Sequence, residues 1–249
     1  MHQPIKYTYD YYTNSILFGN KKGNNSAAMI NSLPSHLLVN VLARVASSSF
    51  TDLINSKLCC KDFRREAEEE CILEQVSIMG FPVNQWLKSE EVSLFLNRCV
   101  EGGNPEALYR QGMVEYFSSM RMESGLEKLR RASEKGHAEA SYVYGIILVC
   151  MGGQSSIEGL KLLNAMKSGS TSQSTRFAIF QECRKRIEAV IRSMWINNHL
   201  TGRQSRSCCH ENTSRLKETW DGRHEVEDDA SCEACKWDRE VSLFCDMLH

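Results

Sequence analysis

Proline is scarce in this chain, with four in 249 residues, and runs that alternate apolar and polar residues are almost as rare. A sandwich or barrel of short strands needs many turns and many such runs, so the chain is expected to be all-α. Charge of one sign is also missing. The net charge is −1, which leaves no basic surface to hold nucleic acid by general electrostatics. No apolar run is long enough for a membrane: the longest, around Ile146–Met151, falls far short of the ~20 residues a spanning helix needs. The first residues show no basic stretch followed by an apolar core, so secretion is not expected. Catalytic signatures are absent as well: there is no Gly-rich phosphate loop, no His-Glu-x-x-His and no Gly-x-Ser-x-Gly. These absences point to a non-catalytic intracellular protein, in the nucleus, the cytoplasm or both, with neither nucleic acid nor membrane as partner. Its 11 cysteines are then reduced thiols or metal ligands rather than disulfides.

What is present begins at Leu33. Leu33-Pro34 is followed by apolar residues at Leu37, Leu38, Val41, Leu42 and Val45, a spacing that predicts one broad face of a helix with Pro34 in its first turn. A Ser-rich break at Ser47–Ser49 precedes a second apolar set, Phe50, Leu53, Ile54 and Leu58, which Ser49 or Thr51 caps. A third set, Cys60, Phe63 and Ala67, rides on a charged helix whose solvated end runs through Glu66 to Gln75. Three short helices make a thin core, and an apolar face left over on such a unit reads as a docking surface. An apolar thread from Ile72 to Phe81 would pack this unit onto a second domain.

From about Trp86 the chain repeats with a period of 33, then 34 after one residue is inserted near Gly152-Gly153. Leu96 matches Leu129 and Leu163; Gly103 matches Gly136 and Gly169; Ala107, Tyr109 and Gly112 match Ala140, Tyr142 and Gly145. Such a period predicts helical hairpins stacked into a short solenoid. The small residues let helices approach closely. Asn104-Pro105 restarts a helix, with Asn104 as cap and Pro105 at its first position. Few repeats need covered ends. Phe177, Phe180, Cys183, Ile187, Val190, Ile191 and Met194 predict a capping helix, with Arg184-Lys185-Arg186 on its wet face. Ser168–Thr175 reads as a connector.

The chain after 200 is polar and is expected to be irregular. Cys232-x-x-Cys235 is a chelate spacing for one tetrahedral metal, and Cys245 with His249 would complete four ligands. Only one ligand pair is clean, so reduced, partly buried thiols are the competing expectation, and zinc is the only cofactor the residues leave open.

Leu33-Pro34, the run from Leu37 to Val45, the second Leu-bearing helix and Cys60-Lys61-Asp62-Phe63 together resemble the F-box. The Lys-Gly-His-Ala-Glu-Ala start at Lys135 and the Tyr-x-x-Gly pattern resemble tetratricopeptide-like repeats of the Sel type. The two together resemble a plant family that combines an F-box with such repeats, and the tail resembles a shortened form of the MYND-type finger some members carry. Composition reads 1–28 as a disordered segment and 201–249 as a polar Cys-containing tail; between them lie the F-box-like stretch over 29–72 and the repeats with a capping helix over 73–200. The resemblance implies that Leu33, Pro34, Leu37, Leu38, Val41, Leu42, Leu53 and Leu58 form the face and core that engage a Skp-type adaptor and through it a cullin. It further implies that a groove around Tyr109, Tyr116, Tyr142 and Tyr144 presents an unknown protein substrate. The expected function is the substrate-recognition subunit of a Skp–cullin–F-box ubiquitin ligase. The alternative is a helical-repeat scaffold outside any ligase, with a degenerate zinc-binding tail.

Overall fold

The structure is a computed structural model that describes residues 33–83, 89–168, 173–200 and 233–249. The expected 1–28 segment, residues 169–172 of the Ser168–Thr175 connector and residues 201–232 lie outside the described residues. Among the described residues there are helices and no strands.

Four short helices come first: α1 (Ser35–Ser48), α2 (Phe50–Cys59), α3 (Lys61–Glu66) and α4 (Glu70–Gln75). Ser49 ends α1 in extended backbone and accepts the Asp52 N–H at 3.2 Å to start α2, so one residue makes the corner. Cys60 repeats the device for α3 with its sulfur on the Phe63 N–H. Here the structure departs from the single charged helix expected through Gln75. The chain leaves helical geometry after Ala67 and restarts at α4, because Ala67, Ile72 and Leu73 are buried and one straight helix would turn them to different sides.

The repeats come next as α5 (Glu90–Glu101), α6 (Pro105–Met113), α7 (Met122–Glu134), α8 (Ala138–Met151), α9 (Gly153–Ser168) and α10 (Gln173–Ile191). α6 continues as a π-turn over Val114–Ser118. α8 is the axis of the array and packs against α7, α9 and α10. It buries Ala140, Tyr142, Val143, Ile146, Ile147 and Leu148 on all sides, as a helix without a polar face must. The longest apolar run of the sequence is therefore the centre of the repeat core. The small residues sit where helices touch. A Cβ on Gly145 would lie 2.7 Å from Leu163 Cγ, and one on Gly112 would lie 3.0 Å from Leu129 Cγ. The same contact recurs one unit along, so the period in the sequence is a period in packing. Gly103 and Gly136 adopt φ of 79° and 84°, the left-handed conformation that closes the first helix of each unit.

The hydrophobic core does not stop at residue 72. Leu38, Leu42, Leu53, Ile72 and Ile78 share one cluster with Leu96, Cys99 and Ala107 of the first repeat. Phe50, Phe81 and Phe95 form a ring triad with centroids 4.8–5.4 Å apart that links α2, the apolar thread and α5. At the centre of this junction lies Asn104, 2% exposed. Its carboxamide oxygen accepts the Ala107 N–H at 3.1 Å and caps α6. Its NH2 donates to the carbonyls of Leu73, Glu74 and Val76 at 2.9–3.1 Å, groups that the end of α4 leaves without helical partners.

The tail is not irregular throughout. Glu233–Asp246 form a helix, α11. Trp237, Val241, Phe244, Cys245 and Leu248 recur at helical spacing and are all buried in the repeat core. One residue of the expected wet face on α10 also turns inward: the Arg184 side chain is only 15% exposed, against 61% for Arg186.

Asn104→Leu should cost about 2–4 kcal/mol, the sum of a lost cap and stranded buried carbonyls. Asn104→Asp keeps the cap but removes the donor, and should be as damaging. Chemical denaturation of the three proteins measures this; wild-type stability for Asn104→Asp would mean that the cap alone matters.

Candidate functional site

The eight residues at the start of α1 and in α2 divide into two sets. Leu38, Leu42 and Leu53 are 4%, 1% and 3% exposed and belong to the core. Leu33, Leu37, Val41 and Leu58 are 38–50% exposed, and Pro34 is exposed beside them. Leu37 and Val41 fall four apart and so share one stripe along the first turns of α1, and Leu33 lies just before its cap, Pro34. The one broad face expected from sequence is two faces about 100° apart, because neighbouring positions in a helix differ by that angle. Only the outer one is free to meet another molecule.

Three of the four tyrosines assigned to a substrate groove do not line an open one. Tyr109, Tyr116 and Tyr142 are 2%, 7% and 0% exposed; Tyr144 is half-buried and packs against the same core. Tyr109 stacks on His137 with ring centroids 4.7 Å apart. Tyr142 donates its hydroxyl to Glu240 Oε1 of α11 at 2.7 Å. Large aromatics in the second helix of a repeat serve either as groove or as inter-helix packing, and here packing takes them.

Of the four proposed metal ligands, the side chains of Cys245 and His249 are among the described residues. Cys232 lies outside the described residues, and Cys235 falls in the first turn of α11. Cys245 is 7% exposed within the apolar side of α11, where a hydrogen bond from Cys150 holds its thiol below the ordinary value against the opposing effect of burial. His249 stacks on His199 at 5.0 Å. Among the described residues no three His, Cys, Asp or Glu side chains come together as a metal site. No described helix is long and apolar enough to cross a membrane.

Sequence reasoning missed two polar clusters between units. In the first, His137 Nδ1 accepts the Ala140 N–H at 3.2 Å and caps α8, as Asn104 caps α6 one unit earlier. That fixes the ring proton on Nε2, which donates to Glu106 Oε2 at 2.7 Å. The other Glu106 oxygen takes the Arg110 Nε–H at 2.5 Å. Burial alone would raise the Glu106 carboxyl; the His137 hydrogen bond and the Arg110 guanidinium overcome it and hold the pKa at about 2. In the second cluster, Glu240 sits between the Tyr142 hydroxyl and the Arg184 guanidinium. The matching positions Asn104 and His137 were visible as a 33-residue repeat; the ion pairs had no local signal. A cavity of about 260 Å³ between Ile78, Leu96, Val100, Arg110 and Val114 has its one guanidinium already bound to Glu106 and to the Phe81 carbonyl.

A family model described as plant tetratrico peptide repeats matches residues 78–192, which cover the apolar thread and α5 to α10. Among curated proteins, one named as an F-box protein in Arabidopsis thaliana is 33% identical over 175 residues, 70% of this chain and 58% of its own length. That alignment is longer than the repeat match and so extends beyond it. A second F-box protein of the same plant is 28% identical over 49% of this chain and 75% of its own. A third is 29% identical over 51% of this chain and 34% of its own. No solved structure matches the chain.

Folded, Glu106 has a pKa of about 2 against an ordinary 4.5, so its contribution is complete above about 4.5 and is lost as the pH falls toward 2. Glu106→Gln should lose about 1–2 kcal/mol at pH 7 after allowance for partial exposure. The gap to wild type should narrow below pH 4.5; urea titrations at pH 7, 5, 4 and 3 measure it, and a gap that widens on acidification would contradict the assignment. The chain spans 58% of the length of the first of these relatives; with repeats that match the plant model over 78–192 and an all-helical α1–α4 unit joined to them, it is similar to plant F-box proteins and to plant tetratricopeptide-like repeats.

Proposed function

We propose that the chain is a non-catalytic substrate-recognition subunit of a Skp–cullin–F-box ubiquitin ligase, with α1 and α2 docking the Skp-type adaptor and the repeats holding a protein substrate. The observation that carries this reading is the outer stripe of α1. Leu37 and Val41 stand 43% and 50% exposed on it and Leu33, just before the helix, 38%, with Leu58 of α2 exposed on the same unit, while their neighbours Leu38 and Leu42 hold the core. Exposed branched side chains in register are costly in water and are what an apolar partner surface covers. The names of the relatives support the same partner class.

The work of such a subunit is geometric. The adaptor end and the first repeat are joined by one apolar cluster and by Asn104, so a substrate on the repeats is held at a set distance from the ligase. Tethering of this kind raises the effective concentration of a substrate lysine near the ubiquitin carrier without any bond being made or broken by the subunit itself.

Because the stripe is exposed, it can be changed without touching the core. Leu37→Asp with Val41→Asp should leave thermal stability close to wild type, as exposed substitutions do, and reduce capture of a recombinant Skp-type adaptor by roughly 100-fold, as loss of central interface anchors does. Leu42→Ala, by contrast, should destabilise by about 2–5 kcal/mol. If wild-type protein captures no adaptor, the ligase reading fails and a scaffold of helical repeats is left in its place.

A further inference from the structure

α11 lies on the repeats in the manner of a bound peptide. Residues 201–232 separate it from Leu200, and a stretch of that length reaches about 100 Å when extended. Covalent connection therefore does not dictate where the helix docks; its contacts do. A helix that only closed the end of the array would stack beyond α10. Instead the aromatic contacts of α11 reach back across three successive second helices. Trp237 meets Phe180 of α10, and Phe244 meets both Tyr142 of α8 and Phe117 at the end of α6, each with ring centroids 6.0 Å apart.

Between these anchors the face is charged. The Arg184 and Glu240 side chains are 15% and 13% exposed, and Glu240 also receives the Tyr142 hydroxyl. A guanidinium this enclosed is costly without an acid opposite, so the face itself requires a carboxylate from whatever occupies it. Trp237, Glu240, Val241 and Phe244 stand at i, i+3, i+4 and i+7, the spacing by which an amphipathic helix enters a groove. The outward side of α11 carries Arg239, Ser242 and Asp246, all exposed, so the helix keeps a polar surface of its own.

We propose that the face formed by α6, α8 and α10 is a docking surface for an amphipathic helix of a partner protein, carrying an aromatic, an acid, an aliphatic and an aromatic residue at i, i+3, i+4 and i+7, and that α11 occupies this surface in cis until such a helix displaces it. This names the kind of partner taken by the repeats of the proposed adaptor, and it rests on that reading for its setting in a ligase. Tyr142, placed by sequence in a substrate groove, then does meet a peptide, and the peptide is the chain's own.

The test uses the full chain and a fluorescein-labelled peptide of residues 233–249 under reducing conditions. In wild type the peptide competes with a tethered copy at an effective concentration of order mM, so it should bind weakly. Glu240→Lys in the full chain sets lysine against Arg184 and frees the face, and the wild-type peptide should then bind at least about 30-fold more tightly. The peptide carrying Glu240→Lys should bind neither chain, and should regain binding to a full chain with Arg184→Glu. A Glu240→Lys chain that stays helical by circular dichroism and binds the peptide no better than wild type would overturn the proposal. Should that chain lose its helicity, hydrogen exchange of the wild type decides: α11 amides exchanging at least about 10-fold faster than those of α8 support a displaceable helix, and equal exchange makes it a fixed part of the core. Capture of a Skp-type adaptor by the wild type is a separate readout, so failure of peptide exchange with capture intact sinks this inference alone.

Discussion

One buried carboxamide sets the relation between the two halves of the molecule. Asn104 starts α6 with its oxygen and closes α4 with its nitrogen. Neither job allows the side chain to turn over: the Ala107 N–H needs an acceptor, and the carbonyls of Leu73 and Val76 need a donor. The apolar cluster around it would tolerate some sliding, since dispersion contacts have little direction. The hydrogen bonds do not, because a buried donor or acceptor left without a partner costs about 1–3 kcal/mol. The ion pairs across the same junction, Arg98 with Glu68 and Lys135 with Glu74, add little beside this, since exposed pairs are worth about 0–1 kcal/mol. The proposed function, holding one partner at a set distance from another, needs such a fixed joint, and Asn104 supplies one.

The device recurs. His137 stands 33 residues on, caps α8, and reaches back to Glu106 in the preceding unit. Glu139, two residues after that cap as Glu106 is two after Asn104, reaches forward to Arg186 of α10 at 3.1 Å. The second helices of the first two units, α6 and α8, are thus each started by a side chain that also binds a neighbouring unit. In an array of so few repeats, where a unit buries its apolar face only against its neighbours, coupling the start of each helix to the next unit makes the stack fold as one body.

Features fixed by neighbours a few residues away were legible in the sequence. Asn104 and Pro105 are legible because a cap needs only the next turn of chain, and of the two caps open for α2, Ser49 and Thr51, the structure uses Ser49. Gly103, Gly136 and the close approach at Gly145 were read because the repeat displayed each of them more than once. What could not be read was long-range. The partners of Glu240 lie 98 and 56 residues away, and nothing near Glu240 announces them. α8 misled for a different reason: it is apolar on every side, so no moment separates a groove-facing tyrosine from a core one. In the tail, Cys-x2-Cys drew attention from Trp237, Val241, Phe244 and Leu248, whose spacing already described an amphipathic helix.

The two apolar faces of the chain are handled in opposite ways, and the difference carries meaning. On α1 and just before it, Leu33, Leu37 and Val41 remain uncovered among the described residues, and no charged side chain is enclosed among them. On the repeats, the comparable surface carries a charge, Arg184, and is covered by the chain itself. A purely apolar stripe can wait in water at modest cost, because exposed aliphatic groups are common on protein surfaces. A guanidinium enclosed beside Tyr142 and Glu240 cannot be left half-desolvated without an acid. The open face therefore suits a partner that is always available, and the covered face one that must compete for its place. In the proposed function, that division gives constant attachment at one end and conditional attachment at the other.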